Sequence, residues 1–178
     1  MTSPNGRVEI TRQIGIDMGH RVTNHASKCR NVHGHRYLIE ATATTLSLVK
    51  QGAEQGMVTD FGVLKDAMMD CIDVNFDHAL CLWYKDPLAT QWFGVSVTRP
   101  KYRLRVTQGL NVGKVVLLDV VPTAEHLAHV WYTMVDATVR KLTAGKVWLT
   151  KVRVWETPNC YADYIPPSHI TRKYGKRA

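Results

Sequence analysis

The sequence predicts an α+β domain built on antiparallel hairpins, and three observations carry that prediction. Two runs, Val8 to Met18 and His35 to Val49, alternate apolar with polar residues, the period of a strand with one buried face. Two later runs repeat apolar residues at the three- and four-residue spacing of an amphipathic helix. A last alternating run, Lys146 to Thr157, follows the second of these. The order strand, strand, helix, insertion, helix, strand is that of an α+β domain.

Each element has its own local signals. The first two strands are separated by a loop rich in Asn, Ser, Lys and Arg that carries Cys29. Tyr37 to Thr45 is dense in β-formers, and a turn-forming stretch, Lys50 to Gly56, follows the second strand. Asp60 stands at an N-cap position ahead of Phe61, Val63, Leu64, Ala67, Met68, Cys71 and Ile72, which fall at helical spacing. That helix is expected to end before Asn75. Thr123 caps the second helix and Glu125 suits its positive end; Leu127, Val130, Trp131, Val135, Val139 and Leu142 share one face, and Gly145 stops it. The final strand has one irregularity in the middle of its alternation. Between the helices, residues 79–121 read as an insertion holding one or two extra strands around Val95, Val97, Tyr102, Leu104, Val106 and Val115 to Leu118, broken by Pro100 and Gly109.

Composition narrows the function classes. A chain of 178 residues with 45% hydrophobic content is one domain, 1–178, large enough for its own core. No run of 18 apolar residues is present, and residues 1–6 hold no secretory-type apolar stretch. Cys29, Cys71, Cys81 and Cys160 are widely spaced with no Cys-x-x-Cys, so a reducing cytoplasm is the expected compartment. A formal net charge of +8 suits a polyanionic partner, whether nucleic acid or a phosphorylated small molecule. The cluster Arg172, Lys173, Lys176 and Arg177 reads as a solvated basic tail.

The chemistry concentrates in Cys29-Arg30-Asn31-Val32-His33-Gly34-His35. A strand starting near His33 puts both imidazoles on one face, and His20 ends the preceding strand-like run as a third. Catalytic zinc takes three protein ligands and keeps a fourth position open. Asp77-His78 pairs a carboxylate with an imidazole, an acid–base arrangement that also serves as a helix-end hydrogen bond. Glu156 ends an apolar strand, where a carboxylate is either solvated or a ligand anchor.

In order, the chain carries Cys-x-x-x-His-Gly-His-x-Tyr, then Gly56 to Lys65 (GMVTDFGVLK), Asp77-His78, Pro122 to Ala128 (PTAEHLA) and Glu156-Thr157. From about His20 to Tyr164 it resembles the 6-pyruvoyl-tetrahydropterin and 6-carboxytetrahydropterin synthases. The resemblance implies the tunnelling fold: a four-stranded antiparallel sheet with two helices on one face, joined into trimeric barrels that stack as a hexamer. It implies His20, His33 and His35 as zinc ligands, and Cys29 as the catalytic thiol. It implies Asp77 and His78 as proton-transfer partners supplied by a neighbouring subunit, Glu156 as the anchor of a pterin ring, and Thr123 in the segment lining the same pocket. Cys29 as a fourth zinc ligand, closing a structural site, is the competing reading.

Within the family, Cys29 argues against the folate-linked subgroup, which carries a glutamate instead. The tight Cys-x-x-x-His-Gly-His spacing and the Pro-Thr-Ala-Glu helix start favour the carboxy type, which releases acetaldehyde and triphosphate from 7,8-dihydroneopterin triphosphate on the way to 7-deazaguanines such as queuosine. The alternative is the pyruvoyl type, which eliminates triphosphate. A second alternative is a zinc-stabilised basic protein that binds nucleic acid through Arg99, Lys101, Arg103 and Arg105. Only Tyr102 interleaves that run, too few aromatics for base stacking, so a nucleic-acid partner is not expected.

Overall fold

The computed structural model describes residues 6–93, 104–109 and 113–167. In chain order its elements are β1 (Glu9–His20), β2 (His33–Thr45), α1 (Phe61–Met68), α2 (Val74–Phe76), β3 (Leu80–Trp83), α3 (Pro87–Phe93), β4 (Leu104–Gly109), β5 (Gly113–Leu118), α4 (Ala124–Leu142), β6 (Val147–Thr157) and β7 (Cys160–Tyr164).

β1 and β2 form a long antiparallel hairpin, in register from Glu9 opposite Thr44 to His20 opposite His33. β2 then pairs with β6, and β6 with β7, both antiparallel. The irregularity expected in the last strand is a bulge: Leu149 faces Ala43 and Lys151 faces Thr42, leaving Thr150 between them. This restores the inward parity of Val152, Val154 and Glu156. β7 was not expected: it is an edge strand of five residues with exposed side chains such as Tyr161.

The expected four-stranded antiparallel sheet needs correction. Among the described residues one mixed sheet of seven strands runs β4-β5-β3-β1-β2-β6-β7. β3 lies parallel to β1 and to β5, while β4 turns back antiparallel on β5. Its cause lies in the insertion. Leu80 to Leu82 and Val115 to Leu118 are apolar on both faces, as strands buried on both sides must be, so they extend the sheet. Val95, Val97 and Tyr102 lie outside the described residues, as do Arg99, Lys101 and Arg103 of the basic run.

Two helical runs cover one face, as expected. Asp60 caps α1 by accepting the Gly62 N–H at 2.6 Å. The run passes through a π-helical stretch, Met69–Asp73, into α2, so it reaches Phe76 rather than stopping before Asn75. Asn75 fits because its side-chain amide donates to the Cys71 carbonyl at 2.9 Å. Thr123 caps α4, and beyond its end the Gly145 N–H returns to the Arg140 carbonyl at 2.7 Å with Ala144 and Gly145 at positive φ. Beneath these helices lie Ile14, Ile16, Tyr37, Ile39, Leu64, Ile72 and Trp131. Trp131 meets Phe76 edge-on at 5.4 Å, and truncating so large a buried ring costs about 3–5 kcal/mol. Leu80, Leu82, Val115 and Leu117 form a separate apolar cluster with Ala89 of α3, on the opposite face from Cys81, Val116 and Leu118. The ends of β1 and β6, the start of β2 and the start of α4 converge at one end of the sheet.

Candidate active site

Cross-strand register brings the three histidines together. His20 stands opposite His33, and His35 lies two residues further along the same face of β2. Their ligand atoms all lie within 4.8 Å of one another. Gly34 permits this by letting β1 approach: a Cβ there would sit 3.1 Å from the Met18 carbonyl oxygen.

Two of the rings are fixed from behind. His20 Nδ1 lies 2.8 Å from the Pro122 carbonyl oxygen and His33 Nδ1 lies 2.8 Å from that of Asn31. A carbonyl only accepts, so both rings carry a proton on Nδ1, which leaves Nε2 as the nitrogen turned to a metal. Burial pushes the basicity of His20 down, opposed by Pro122 and Glu156 and reinforced by His33 and His35. Burial also lowers His35, with Glu156 opposing and His33 adding to the effect. Neutral imidazoles sharing one focus are the donor set a divalent transition metal takes.

Glu156 reaches the same focus. Its Oε1 lies 3.4 Å from His20 Nε2 and 3.9 Å from His35 Nε2, and accepts the Tyr37 hydroxyl at 3.2 Å. Tyr37 is fully buried, its hydroxyl 3.1 Å from His20 Nε2; burial, then the Glu156 charge, pushes its ionisation far upward, so it stays a neutral donor. The sequence reading missed Tyr37 as a site residue, although the parity of His33 and His35 extends to it.

A cavity of about 290 Å³ adjoins the trio, lined by His20, Cys29, His33, Thr123, Glu125 and Glu156 among others. His25 and Tyr161, neither expected from sequence, also line it. Thr123 accepts the His126 N–H at 3.4 Å, so its hydroxyl serves as helix cap while the residue walls the pocket. The Glu125 carboxyl is held low by its own backbone N–H and the Thr123 hydroxyl.

Asp77 and His78 do not line this cavity. They form a pair, His78 Nδ1 to Asp77 Oδ2 at 2.7 Å, and His78 borders a shallower depression with Asp17, Gly34, His35 and Arg36. His78 adopts φ 52° and its N–H donates to the Asp17 carbonyl at 2.7 Å, while the Asp17 N–H donates to Asp77 at 2.9 Å. Slight burial opposes ionisation of Asp77, but the Asp17 N–H and His78 outweigh it and hold the carboxyl below its usual range.

The family pattern described as 6-pyruvoyl tetrahydropterin synthase matches residues 9–167. The chain belongs to that family. A 6-carboxy-5,6,7,8-tetrahydropterin synthase of Rickettsia bellii is 34% identical over 156 residues, covering 88% of this chain and 99% of the relative. The enzyme of the same name from Aquifex aeolicus is 28% identical, over 88% of this chain and 96% of its own. Among solved structures, an uncharacterized protein of Wolinella succinogenes superposes with a TM-score of 0.75 at 20% identity, covering 92% of this chain and 100% of that one. The 6-pyruvoyl tetrahydropterin synthase of Caenorhabditis elegans superposes with a TM-score of 0.57, also at 20% identity, covering 91% and 97%. The tunnelling-type architecture implied by the sequence resemblance is thus shown, enlarged here by β3, α3, β4 and β5. This is a pterin-synthase-like enzyme of lyase type.

Proposed function

We propose that the protein is a zinc-dependent 6-carboxy-5,6,7,8-tetrahydropterin synthase. It takes 7,8-dihydroneopterin triphosphate and water to 6-carboxytetrahydropterin, acetaldehyde and triphosphate, in the cytoplasm, as a step toward 7-deazaguanines. The observation that carries this reading is one cavity holding His20, His33, Cys29 and Glu156 together. The names of the curated relatives support the carboxy type over the pyruvoyl type.

His20, His33 and His35 would hold the metal, His20 and His33 through Nε2. Bound there, zinc supplies a positive charge that polarises an oxygen of the substrate side chain. The chain's own residues do the rest. Cys29 takes a proton from the substrate side chain in the cavity it shares with the histidines. Glu156 receives the ring's N–H edge through two parallel hydrogen bonds, with Tyr37 donating to that carboxylate from behind. A surplus of cations, +8 overall, draws in the triphosphate.

Asp77 and His78 reach the cavity of a neighbouring subunit rather than their own. β1 meets β3 only at Gly19 and His20 and is bonded by Asp77 and His78 at Asp17, so among the described residues no strand pairs with the rest of its outer edge, and β7 is the sheet's opposite edge. Pairing such edges around a ring gives a trimeric barrel, and two barrels a hexamer. The test is turnover against metal content: acetaldehyde release from dihydroneopterin triphosphate should rise in proportion to zinc restored to chelator-treated protein. No acetaldehyde from fully loaded protein contradicts the proposal.

A further inference from the structure

Asp86 has no part in the chemistry above, yet it is fully buried and its carboxylate is saturated with donors. Its Oδ2 takes the Arg21 Nε–H at 2.7 Å and the hydroxyl of Thr23. Its Oδ1 accepts the Leu88 N–H at 2.9 Å, which fastens the start of α3. Asp86 belongs to the segment between β3 and α3, whereas Arg21 and Thr23 open the loop that begins directly after His20. That loop returns on itself through the Val22 N–H, which donates to the Cys29 carbonyl at 2.9 Å. The residue between the two clamped positions therefore holds the backbone of Cys29.

We propose that Asp86 is a positioning residue: the insertion clamps the loop after His20 through Arg21 and Thr23, and so fixes where the Cys29 thiol stands beside the histidines. This rests on Cys29 being the reactive thiol of the site. Three features support it. A buried carboxylate bound to a guanidinium is costly to desolvate and is kept where its geometry matters. One carboxylate joins two segments 63 and 65 residues apart in sequence. The loop itself is short of other anchors. Ser27, Lys28, Cys29 and Arg30 include no buried residue, and the 3₁₀ turn Lys28–Arg30 lacks a side-chain cap. The insertion thereby gains a function at the site, although none of its described residues lines the cavity that Cys29 borders.

The test reads Cys29 directly and needs no substrate. Zinc-loaded protein is treated with iodoacetamide, and the Cys29 and Cys160 peptides are followed separately by mass spectrometry. Cys160 is exposed on β7; it borders the same cavity but lies outside the clamped loop, and so serves as the internal control. In Asp86→Asn the Cys29 rate should rise at least three-fold relative to Cys160, with about one zinc per chain retained. In turnover of dihydroneopterin triphosphate the same variant should lose ten-fold or more in kcat while KM changes less than three-fold. Loss of fold stability alone lowers Tm without moving the ratio of the two alkylation rates. If Asp86→Asn does not fold, Arg21→Gln and Thr23→Val break the same clamp from the loop side, and the double variant should add little to the stronger single one. An unchanged Cys29 to Cys160 ratio in a folded clamp variant overturns the proposal. A wild-type protein that turns over no pterin would count against the proposed function instead, and the alkylation result would still decide the clamp.

Discussion

Glu156 Oε1 lies 3.4 Å from His20 Nε2, so the fold brings the carboxylate proposed to bind the ring and an imidazole proposed to bind the metal into one focus. Both point from the helix-facing side of the sheet, one from the end of β6 and one from the end of β1. Tyr37 joins them, with its hydroxyl 3.2 Å from the carboxylate and 3.1 Å from the imidazole.

Glu156→Gln tests the ring anchor. The amide keeps size and swaps one acceptor for a donor, placing N–H against N–H at the ring edge. Binding of a reduced pterin, measured by calorimetry, should weaken by roughly 1–3 kcal/mol, the cost of an unpaired buried donor. Tyr37→Phe should weaken it less, about 0.5–1.5 kcal/mol, since one neutral hydrogen bond behind the carboxylate is lost. Unaltered affinity in Glu156→Gln moves the ring to another carboxylate, with Glu125 next in the same cavity.

His33→Ala tests the metal. Two imidazoles hold zinc weakly, so the variant should lose the ion on dialysis against a chelator that leaves the wild type with about one zinc per chain. Cys29→Ala should behave oppositely, keeping zinc and pterin binding while turnover falls by orders of magnitude. Zinc lost from Cys29→Ala would make the thiol a ligand and the site a closed one.

Much of this site was legible in the sequence because strand parity is a strict rule. His33 and His35 follow from period 2, which also reaches the overlooked Tyr37, and His20 follows from its place at the end of β1. Glu156 was harder, since the bulge at Thr150 shifts the parity of β6 half-way along, and no local signal fixes where a bulge falls. The extra strands could not be placed from the chain alone. Leu80 to Leu82 is too short for a period, and its pairing with β1 is a long-range choice made by the apolar faces it buries. Nor does sequence show that His78 borders a different depression from Cys29, because that depends on where β3 docks.

The Asp77 carboxyl gives a pH signature. Its folded value lies below the ordinary 3.8, so its bonds to the Asp17 N–H and His78 stabilise the fold above that value and are lost as pH falls through the depressed one. Asp77→Asn should therefore lower Tm relative to wild type at about pH 6, with the gap closing toward about pH 3. A gap that is the same at both values would show that the charge on Asp77 contributes nothing.

The shared site is tested by complementation. Cys29→Ala and His78→Ala should each be inactive. Mixed subunits, dissociated and reassembled, should regain part of the activity, because some interfaces then join an intact Cys29 to a neighbour's intact His78. A monomer by sedimentation that still turns over substrate contradicts both the oligomer and the shared site.

Product identity tests the central claim most directly. Zinc-loaded protein is incubated with 7,8-dihydroneopterin triphosphate, and the pterin formed is identified by mass spectrometry while acetaldehyde is trapped and counted. The account predicts 6-carboxytetrahydropterin and acetaldehyde in equal amounts. A 6-pyruvoyl product without acetaldehyde would contradict it, and would place the chain with the other branch of its family.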